Sequence, residues 1–97
     1  MPAGSFYYGY QVTSGWNLNQ GSGNRTQSFQ IPFGAKFSNP PTVVAALSGL
    51  DVDNQHNTRV YLTVQNVTNT DFTLVVTTWG DTILYSVWGM WYAEIDE

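Results

Sequence analysis

The aromatic residues near the end of the chain are the side chains best suited to binding a ligand. The stretch TTWGDTILYSVWGMWY, residues 77–92, holds three of the four tryptophans and two of the six tyrosines. Trp79 precedes Gly80 and Asp81 at a predicted strand end, where a ring can project from the rim of a sheet. Such a ring beside Asn, Asp and Arg is typical of a sugar site, because it covers a C–H face while planar polar groups bond the hydroxyls. Plain packing is the alternative use of these rings.

Metal binding is not predicted. The acidic cluster Asp51 and Asp53 beside His56, in LDVDNQHN, is typical of a polar loop whose carboxylates cap turns. A calcium loop with carboxylates at alternating positions would also need a glycine and a distal glutamate, which this stretch lacks. The chain contains no cysteine, which excludes thiolate metal sites and disulfides. We therefore expect neither a metal nor another cofactor.

Catalysis has little support in the residue pattern. A glycosidase needs two carboxylates flanking a cleft. Asp51 and Asp81 could be nominated, but their spacing does not show that they face each other. The serines in GSG and YSV do not stand in a nucleophile elbow, and the glycines of QGSGN do not open a helix that could bind phosphate. The sequence predicts no catalytic residue.

Strand signals dominate the chain, and no segment reads at helical period. Runs of β-branched and aromatic residues alternate with polar residues and are separated by Gly, Asn, Asp and Pro. In RVYLTVQNV, Arg59 and Tyr61 lie on the face opposite Val60, Leu62 and Val64. Six strands without helices predict an all-β fold, a six-stranded antiparallel β-sandwich, as a single domain over residues 1–97. The predicted strands are residues 7–13, 25–31, 42–47, 59–67, 71–79 and 83–93.

The last predicted strand carries bulky groups on both faces. One face holds Tyr85, Val87 and Trp91. The other face holds Leu84, Trp88, Met90 and Tyr92. One of them can pack in the sandwich core, and the other needs a further cover, for which we expect a neighbouring subunit.

Composition limits the partners. Charged residues make up 10% of the chain, against about 25% in a typical domain, and the net charge is −4. With three basic residues the chain cannot neutralise a run of phosphates, so we expect no nucleic-acid or anionic-membrane partner. No stretch approaches the ~18 apolar residues of a membrane span. Sequons at Asn24 and Asn66 favour a secreted protein whose signal peptide has been removed, with a cytoplasmic location as the alternative.

Five segments together resemble the H-type lectins. They are GW at residues 15–16, FSNPPTVV, LDVDNQHNTRV, VTNTDFTLVVTTW and DTILYSVWGMW. They occur in the family's order and cover nearly the whole chain after Gly15. The most specific part is LDVDNQHNTRV followed, about twenty residues later, by TW and then YS. The family is typified by a snail agglutinin that binds N-acetylgalactosamine and by the C-terminal domains of slime-mould discoidins, and it includes soft-coral galactose lectins.

The resemblance implies a trimer, or a dimer of trimers, with a site for galactose or N-acetylgalactosamine at the edge between protomers. Asn57 and Arg59 match the family's ligands for sugar hydroxyls. Trp79 and Tyr85 match the aromatic residues that line the site. The cysteines that link subunits of the snail lectin are missing here, so the assembly is expected to be noncovalent.

The remaining residues of the expected site lie in two glycine-containing segments. Gly21 and Ser22 occupy the loop where the adjacent protomer of the snail lectin supplies a carboxylate. Gly80 stands where that lectin has an imidazole near the acetamido group, so we expect only a modest preference between the two sugars. Asp81 beside Gly80 completes the predicted sugar-binding set.

Three functions are open at this point. The first is a multivalent galactose-type lectin without catalysis, which we expect. The second is a β-sandwich adhesion or assembly module whose rings serve only protein contacts. The third is a glycan-cleaving enzyme that uses Asp51 or Asp81.

Overall fold

Six β-strands make up the regular structure of the described part of the chain. The computed structural model describes residues 2–95. The strands, numbered in chain order, are β1 Ala3–Gly9, β2 Arg25–Pro32, β3 Thr42–Val52, β4 Val60–Gln65, β5 Asp71–Thr78 and β6 Leu84–Glu94. Within this part of the chain, no helix is long and apolar enough to cross a membrane.

The strands form two antiparallel sheets of three strands each. The order is β1-β6-β3 in one sheet and β2-β5-β4 in the other. The central strands β5 and β6 have a neighbour on each side, and β5 is buried along almost its whole length, which explains why its sequence alternates poorly. The predicted all-β fold of six antiparallel strands is confirmed, while the trimer stays a prediction.

The hydrophobic core lies between the two sheets. Strands β5 and β6 supply most of it, with Phe72, Leu74, Val76, Val87, Trp91 and Ala93. Burial of a large apolar side chain stabilises a fold by roughly 1.5–3 kcal/mol, so this cluster is the main reason that the sheets pack together. The predicted inward face of β4 is confirmed, because Val60, Leu62 and Val64 pack against the cluster.

The first strand begins and ends earlier than predicted. β1 spans Ala3–Gly9, whereas residues 7–13 were expected. The chain turns directly after Gly9: the amides of Val12 and Thr13 donate to the Gly9 carbonyl at 3.2 and 2.8 Å. The Gly9 amide donates to the Thr13 hydroxyl at 3.0 Å. A hydroxyl that accepts a backbone N–H competes with strand pairing, so the β-like composition of YQVT was misleading.

The third strand is longer than predicted. β3 continues to Val52, five residues beyond the predicted strand end at residue 47. Its register against β6 shifts between Leu47 and Gly49, which makes Ser48 the extra residue of a β-bulge. A Cβ added to Gly49 would lie 3.3 Å from the Trp88 ring. Pairing with β6 therefore outweighs the weak strand propensity of Gly and Asp at this end.

A second bulge reverses the faces at the start of β6. Asp51 pairs with Ser86 and Val52 pairs with Leu84, so Tyr85 is the extra residue. Leu84 is fully buried in the core, and its predicted place on the face of Trp88 was wrong. Tyr85 lies outside the core cluster. Strict alternation assigns faces only along an uninterrupted ladder, because one extra residue inverts every side chain beyond it.

The outer face of the sheet β1-β6-β3 is apolar and open within one chain. Met90, Val44 and Tyr92 are 58%, 42% and 40% exposed, and Trp88 stacks on Tyr7 with ring centroids 4.7 Å apart. A groove of about 240 Å³, here called the outer groove, is lined by Ala3, Gly4, Val44, Ala46, Met90, Trp91 and Tyr92.

Candidate functional site

The predicted polar residues meet at one rim of the sandwich, where β5 ends and β4 begins. Oδ1 of Asp81 accepts hydrogen bonds from Nη1 of Arg59 at 3.0 Å and from Nδ2 of Asn57 at 3.3 Å. Its Oδ2 lies 3.5 Å from the Asn57 amide nitrogen. The Asp81 carboxylate thus orients a guanidinium and a carboxamide, the two planar groups that the sequence assigned to sugar hydroxyls.

Buried Thr82 fixes the backbone beneath this array. Its hydroxyl accepts from the Arg59 amide at 2.9 Å and donates to the Asn57 carbonyl at 2.7 Å. Thr82 is fully buried, so the loop that presents Asn57 and Arg59 is pinned to the segment that presents Asp81. Sequence reasoning missed Thr82, and its position directly after Trp79, Gly80 and Asp81 was the available signal.

Gly80 makes room for the Arg59 side chain. It has a φ of +68°, a backbone conformation that residues other than glycine rarely adopt. A Cβ at this position would lie 3.1 Å from Nη1 of Arg59. The glycine is therefore required both for the turn after β5 and for the guanidinium that lies against it.

Trp79 shares the rim with a second exposed ring. Its centroid lies 5.6 Å from that of Tyr61, and the ring planes are inclined by 59°. Trp79 is 37% exposed and Tyr61 is 50% exposed. Two tilted rings form an apolar corner beside the Arg59 and Asp81 pair. Tyr61 was not among the predicted site residues, although the alternation in β4 had already placed it on the face of Arg59.

Tyr85 belongs to a different ring pair. Its ring lies 5.6 Å from that of Tyr10, at the bulge in β6. Within residues 2–95, the ring contact of Trp79 is with Tyr61. The structure of one chain therefore does not bring Tyr85 into ring contact with Trp79, and a role of Tyr85 in the site remains a prediction.

The loop of Gly21 and Ser22 approaches the rim from the same chain. The Gly23 amide donates to the Gly80 carbonyl at 2.9 Å. Nη2 of Arg25 donates to that same carbonyl at 3.3 Å. Gly21 and Ser22 are exposed beside this contact. The sequence assigned this loop to a site completed by an adjacent protomer, and within one chain it already borders Gly80.

Hydrogen bonds keep Asp81 ionised. Partial desolvation acts to raise its pKa, but the amide and side chain of Asn57, a backbone N–H of its own and the charge of Arg59 outweigh it, and the pKa lies below its ordinary value of 3.8. A carboxyl group with a lowered pKa does not hold the proton that a general acid must deliver at neutral pH. Asp81 is suited to orienting donors rather than to acid catalysis.

The acidic loop after β3 is built differently. Nδ1 of His56 contacts Oδ2 of Asp53, and the Asp53 amide donates to the Ile83 carbonyl at 3.3 Å. Asp51 pairs in the ladder with Ser86. In residues 2–95, no three His, Cys, Asp or Glu side chains form a group that could hold a metal ion.

The family model for the H-type lectin domain matches residues 28–93 of this chain. This chain belongs to the H-type lectin domain family. The match runs from within β2 almost to the end of β6. It includes the loops that carry Asn57, Arg59 and the Trp79-Gly80-Asp81 segment, and it confirms the resemblance.

Solved structures support the same assignment. Recombinant discoidin II of Dictyostelium discoideum superposes on this chain with a TM-score of 0.84. The two are 24% identical, and the superposition covers 99% of this chain and 37% of that chain. Wild-type discoidin II gives a TM-score of 0.82, at 25% identity over 97% of this chain and 36% of that chain. The chain thus spans little more than a third of discoidin II, and at this identity the first likeness shows the fold.

A protein of Fuscovulum blasticum is also similar in sequence. The "ATP synthase subunits region ORF 7" protein of Fuscovulum blasticum is 33% identical over 79 residues, which are 81% of this chain and 69% of that protein.

Proposed function

We propose that this H-type lectin domain binds galactose and N-acetylgalactosamine at the rim formed by Arg59, Asp81 and Trp79, without catalysing a reaction. The observation that carries the proposal is the arrangement of the rim. Planar donors fixed by one carboxylate stand beside an apolar corner of two exposed rings. A sugar presents the matching surface, with a C–H face next to hydroxyl groups.

Specificity follows from the directed guanidinium. A guanidinium that points at an axial hydroxyl loses its hydrogen-bond partner when that hydroxyl is equatorial. A desolvated donor left without a partner costs about 1–3 kcal/mol of binding free energy. Galactose-type sugars should therefore bind, and glucose and mannose should not. The preference between galactose and N-acetylgalactosamine should be modest, because Gly80 has no side chain to offer the acetamido group.

Affinity at a single site is expected to be weak. Galactose has about a dozen non-hydrogen atoms, and at roughly 0.3–0.5 kcal/mol each it gains about 4–6 kcal/mol. This corresponds to a Kd from about millimolar to tens of micromolar. Several sites on one rigid assembly raise avidity by ~10²–10⁴, so a useful glycan receptor of this size has to be multivalent.

We propose a noncovalent trimer or a dimer of trimers as that assembly. The outer groove supports it, because Met90, Val44 and Tyr92 form an apolar surface that another copy of the sheet could cover. The same surface is what favours the second candidate, an adhesion or assembly module in which the rings contact only protein.

Retention on immobilised galactose, with elution by free galactose, tests the lectin proposal against the assembly module. Titration calorimetry with galactose and glucose then tests specificity. A module that serves only protein contacts passes through the column and gives no heat with either sugar. Incubation with a galactoside, followed by an assay for reducing sugar, tests for cleavage, and accumulation with time would contradict the absence of catalysis.

A further inference from the structure

Two of the three cationic side chains of this chain meet at one glycine of the rim. Nη2 of Arg25 donates to the Gly80 carbonyl at 3.3 Å. Nη1 of Arg59 lies against the same residue, 3.1 Å from where a Cβ would stand. The chain has three Lys and Arg residues against seven Asp and Glu, so this concentration of positive charge is local and runs against the net charge of the protein.

Within residues 2–95, only one of the two guanidinium groups has a carboxylate partner. Arg59 pairs with Asp81 at 3.0 Å. Arg25 donates to three backbone carbonyls, from Nε to Gly23 at 3.0 Å, from Nη1 to Gln20 at 2.9 Å and from Nη2 to Gly80 at 3.3 Å. Carbonyl oxygens fix the direction of a guanidinium but carry no formal charge, and no ion pair of Arg25 occurs within residues 2–95.

The carboxylates near the rim make their contacts with residues other than Arg25. Asp53 is in contact with His56 on the loop that leads to Asn57, and Asp81 is already shared between Arg59 and Asn57. Within residues 2–95, no carboxylate contacts Arg25, so its charge is not paired directly. The three hydrogen bonds of Arg25 use three of its five N–H donors. Two donors remain for a ligand.

We propose that the preferred ligand at this rim is a galactose-type residue that carries a negatively charged substituent, a carboxylate or a sulfate, which Arg25 binds. The inference rests on the proposed function, and it names the class of sugar that the same site takes. An arginine fork matches the geometry of a carboxylate or sulfate, and such charge-assisted hydrogen bonds are roughly twice as strong as neutral ones. The backbone carbonyls hold the fork in place before the ligand arrives, so little side-chain entropy is lost on binding.

The test is titration calorimetry of the intact chain with four small probes. Methyl galactoside is the neutral parent, methyl galacturonoside carries the carboxylate, its methyl ester has nearly the same shape without charge, and galactose 6-sulfate carries the sulfate. We expect at least one of the two charged probes to bind about 3–10-fold more tightly than the neutral parent and the ester. This gain should shrink between about 20 mM and about 0.5 M NaCl, because the pair is exposed and salt screens it.

Three variants test whether the effect belongs to Arg25. Arg25→Gln should bind all four probes alike, while Lys36→Gln removes the same charge from an exposed loop position and should leave the gain intact. Arg25→Lys should keep part of the gain and its salt dependence, which separates loss of charge from a disturbed loop.

The outcomes separate the two proposals. If methyl galactoside binds and neither charged probe binds more tightly than the ester, the acidic-ligand inference is overturned and the lectin proposal stands. If Lys36→Gln abolishes the gain as fully as Arg25→Gln, overall charge causes it and the inference is again overturned. If no probe binds at all, the proposed function itself fails.

Discussion

Nη1 of Arg59 and Oδ1 of Asp81 lie 3.0 Å apart at an open rim, where the two side chains are 38% and 47% exposed. An ion pair in such a place contributes little to the stability of a fold, because water and salt screen it. Its effect is directional instead, since it points the guanidinium across Gly80 toward solvent. This geometry supports our proposal that the pair serves a binding site rather than the framework.

Removal of the Arg59 side chain should separate binding from folding. Arg59→Ala is expected to lower single-site affinity for galactose by ~10-fold or more, because charge-assisted hydrogen bonds to hydroxyls are lost. The melting temperature should change by no more than about 3 °C. Arg59→Lys should restore binding only in part, since an ammonium lacks the planar fork. Calorimetry and thermal melts measure both effects, and wild-type affinity in Arg59→Ala would place the site elsewhere.

Acid should weaken binding through Asp81. Because its pKa is lowered in the folded state, the interactions of the ionised form are complete above the ordinary value of 3.8 and are lost as pH falls through the lower folded value. Wild-type affinity should therefore drop only as the pH falls below the ordinary value of 3.8, while Asp81→Asn should start weaker and stay flat over that range.

Asp71 provides the control for this titration. Its pKa is also lowered, chiefly by the hydrogen bond from Thr68 and then by that from Gln30. Among the described residues, no contact joins Asp71 to the rim. Asp71→Asn should remove part of the acid sensitivity of unfolding but keep the acid sensitivity of binding. Equal pH profiles of affinity in wild type and Asp81→Asn would contradict the role of Asp81.

Gly80 should be needed for binding as well as for its turn. Gly80→Ala places a Cβ 3.1 Å from Nη1 of Arg59 at a φ of +68°, so we expect a loss of about 1 kcal/mol in stability together with weaker sugar binding. Gly34→Ala is the matched control, because Gly34 has a φ of +77° and nothing within 4 Å of an added Cβ. Both variants should be destabilised alike, and only Gly80→Ala should lose affinity. An equal loss of affinity in both would show that backbone strain alone is responsible.

The ring that lines the site with Trp79 should be Tyr61. Tyr61→Ala is expected to weaken galactoside binding about 2–10-fold, because the apolar corner loses one wall, and Tyr61→Phe should retain it. Tyr85→Ala, measured by the same calorimetry, tests the role that the family resemblance implies for Tyr85. Loss of affinity in Tyr85→Ala without loss in Tyr61→Ala would reverse the assignment.

The outer groove should hold the assembly together. Met90 is 58% exposed in a single chain, and a charge introduced there would be buried between copies. Met90→Glu is expected to convert a trimer or hexamer to monomer in light scattering, while Val12→Glu, at an exposed apolar residue of the turn after β1, should leave the assembly intact. A wild-type protein that is monomeric at micromolar concentration would contradict the assembly proposal.

The sequence by itself determined the fold class and most of the rim. Alternation in RVYLTVQNV placed Val60, Leu62 and Val64 on one face of a strand. Those side chains pack against the core cluster, as the hydrophobic effect requires of an apolar face. Family-specific spacing brought Asn57, Arg59, Gly80 and Asp81 into one set, and these residues lie together in the structure.

The tertiary structure decided what local pattern could not. The pairing of β3 with β6 has bulges at Ser48 and Tyr85. Because of the second bulge, Leu84 lies in the core and the ring of Tyr85 contacts that of Tyr10. Bulges arise from the register between distant strands, so no window of sequence reports them. The contact of Trp79 with Tyr61, and the approach of Arg25 and Arg59 to the same glycine, join residues far apart in the chain. Only the packing of β2 and β4 on either side of β5 brings them together.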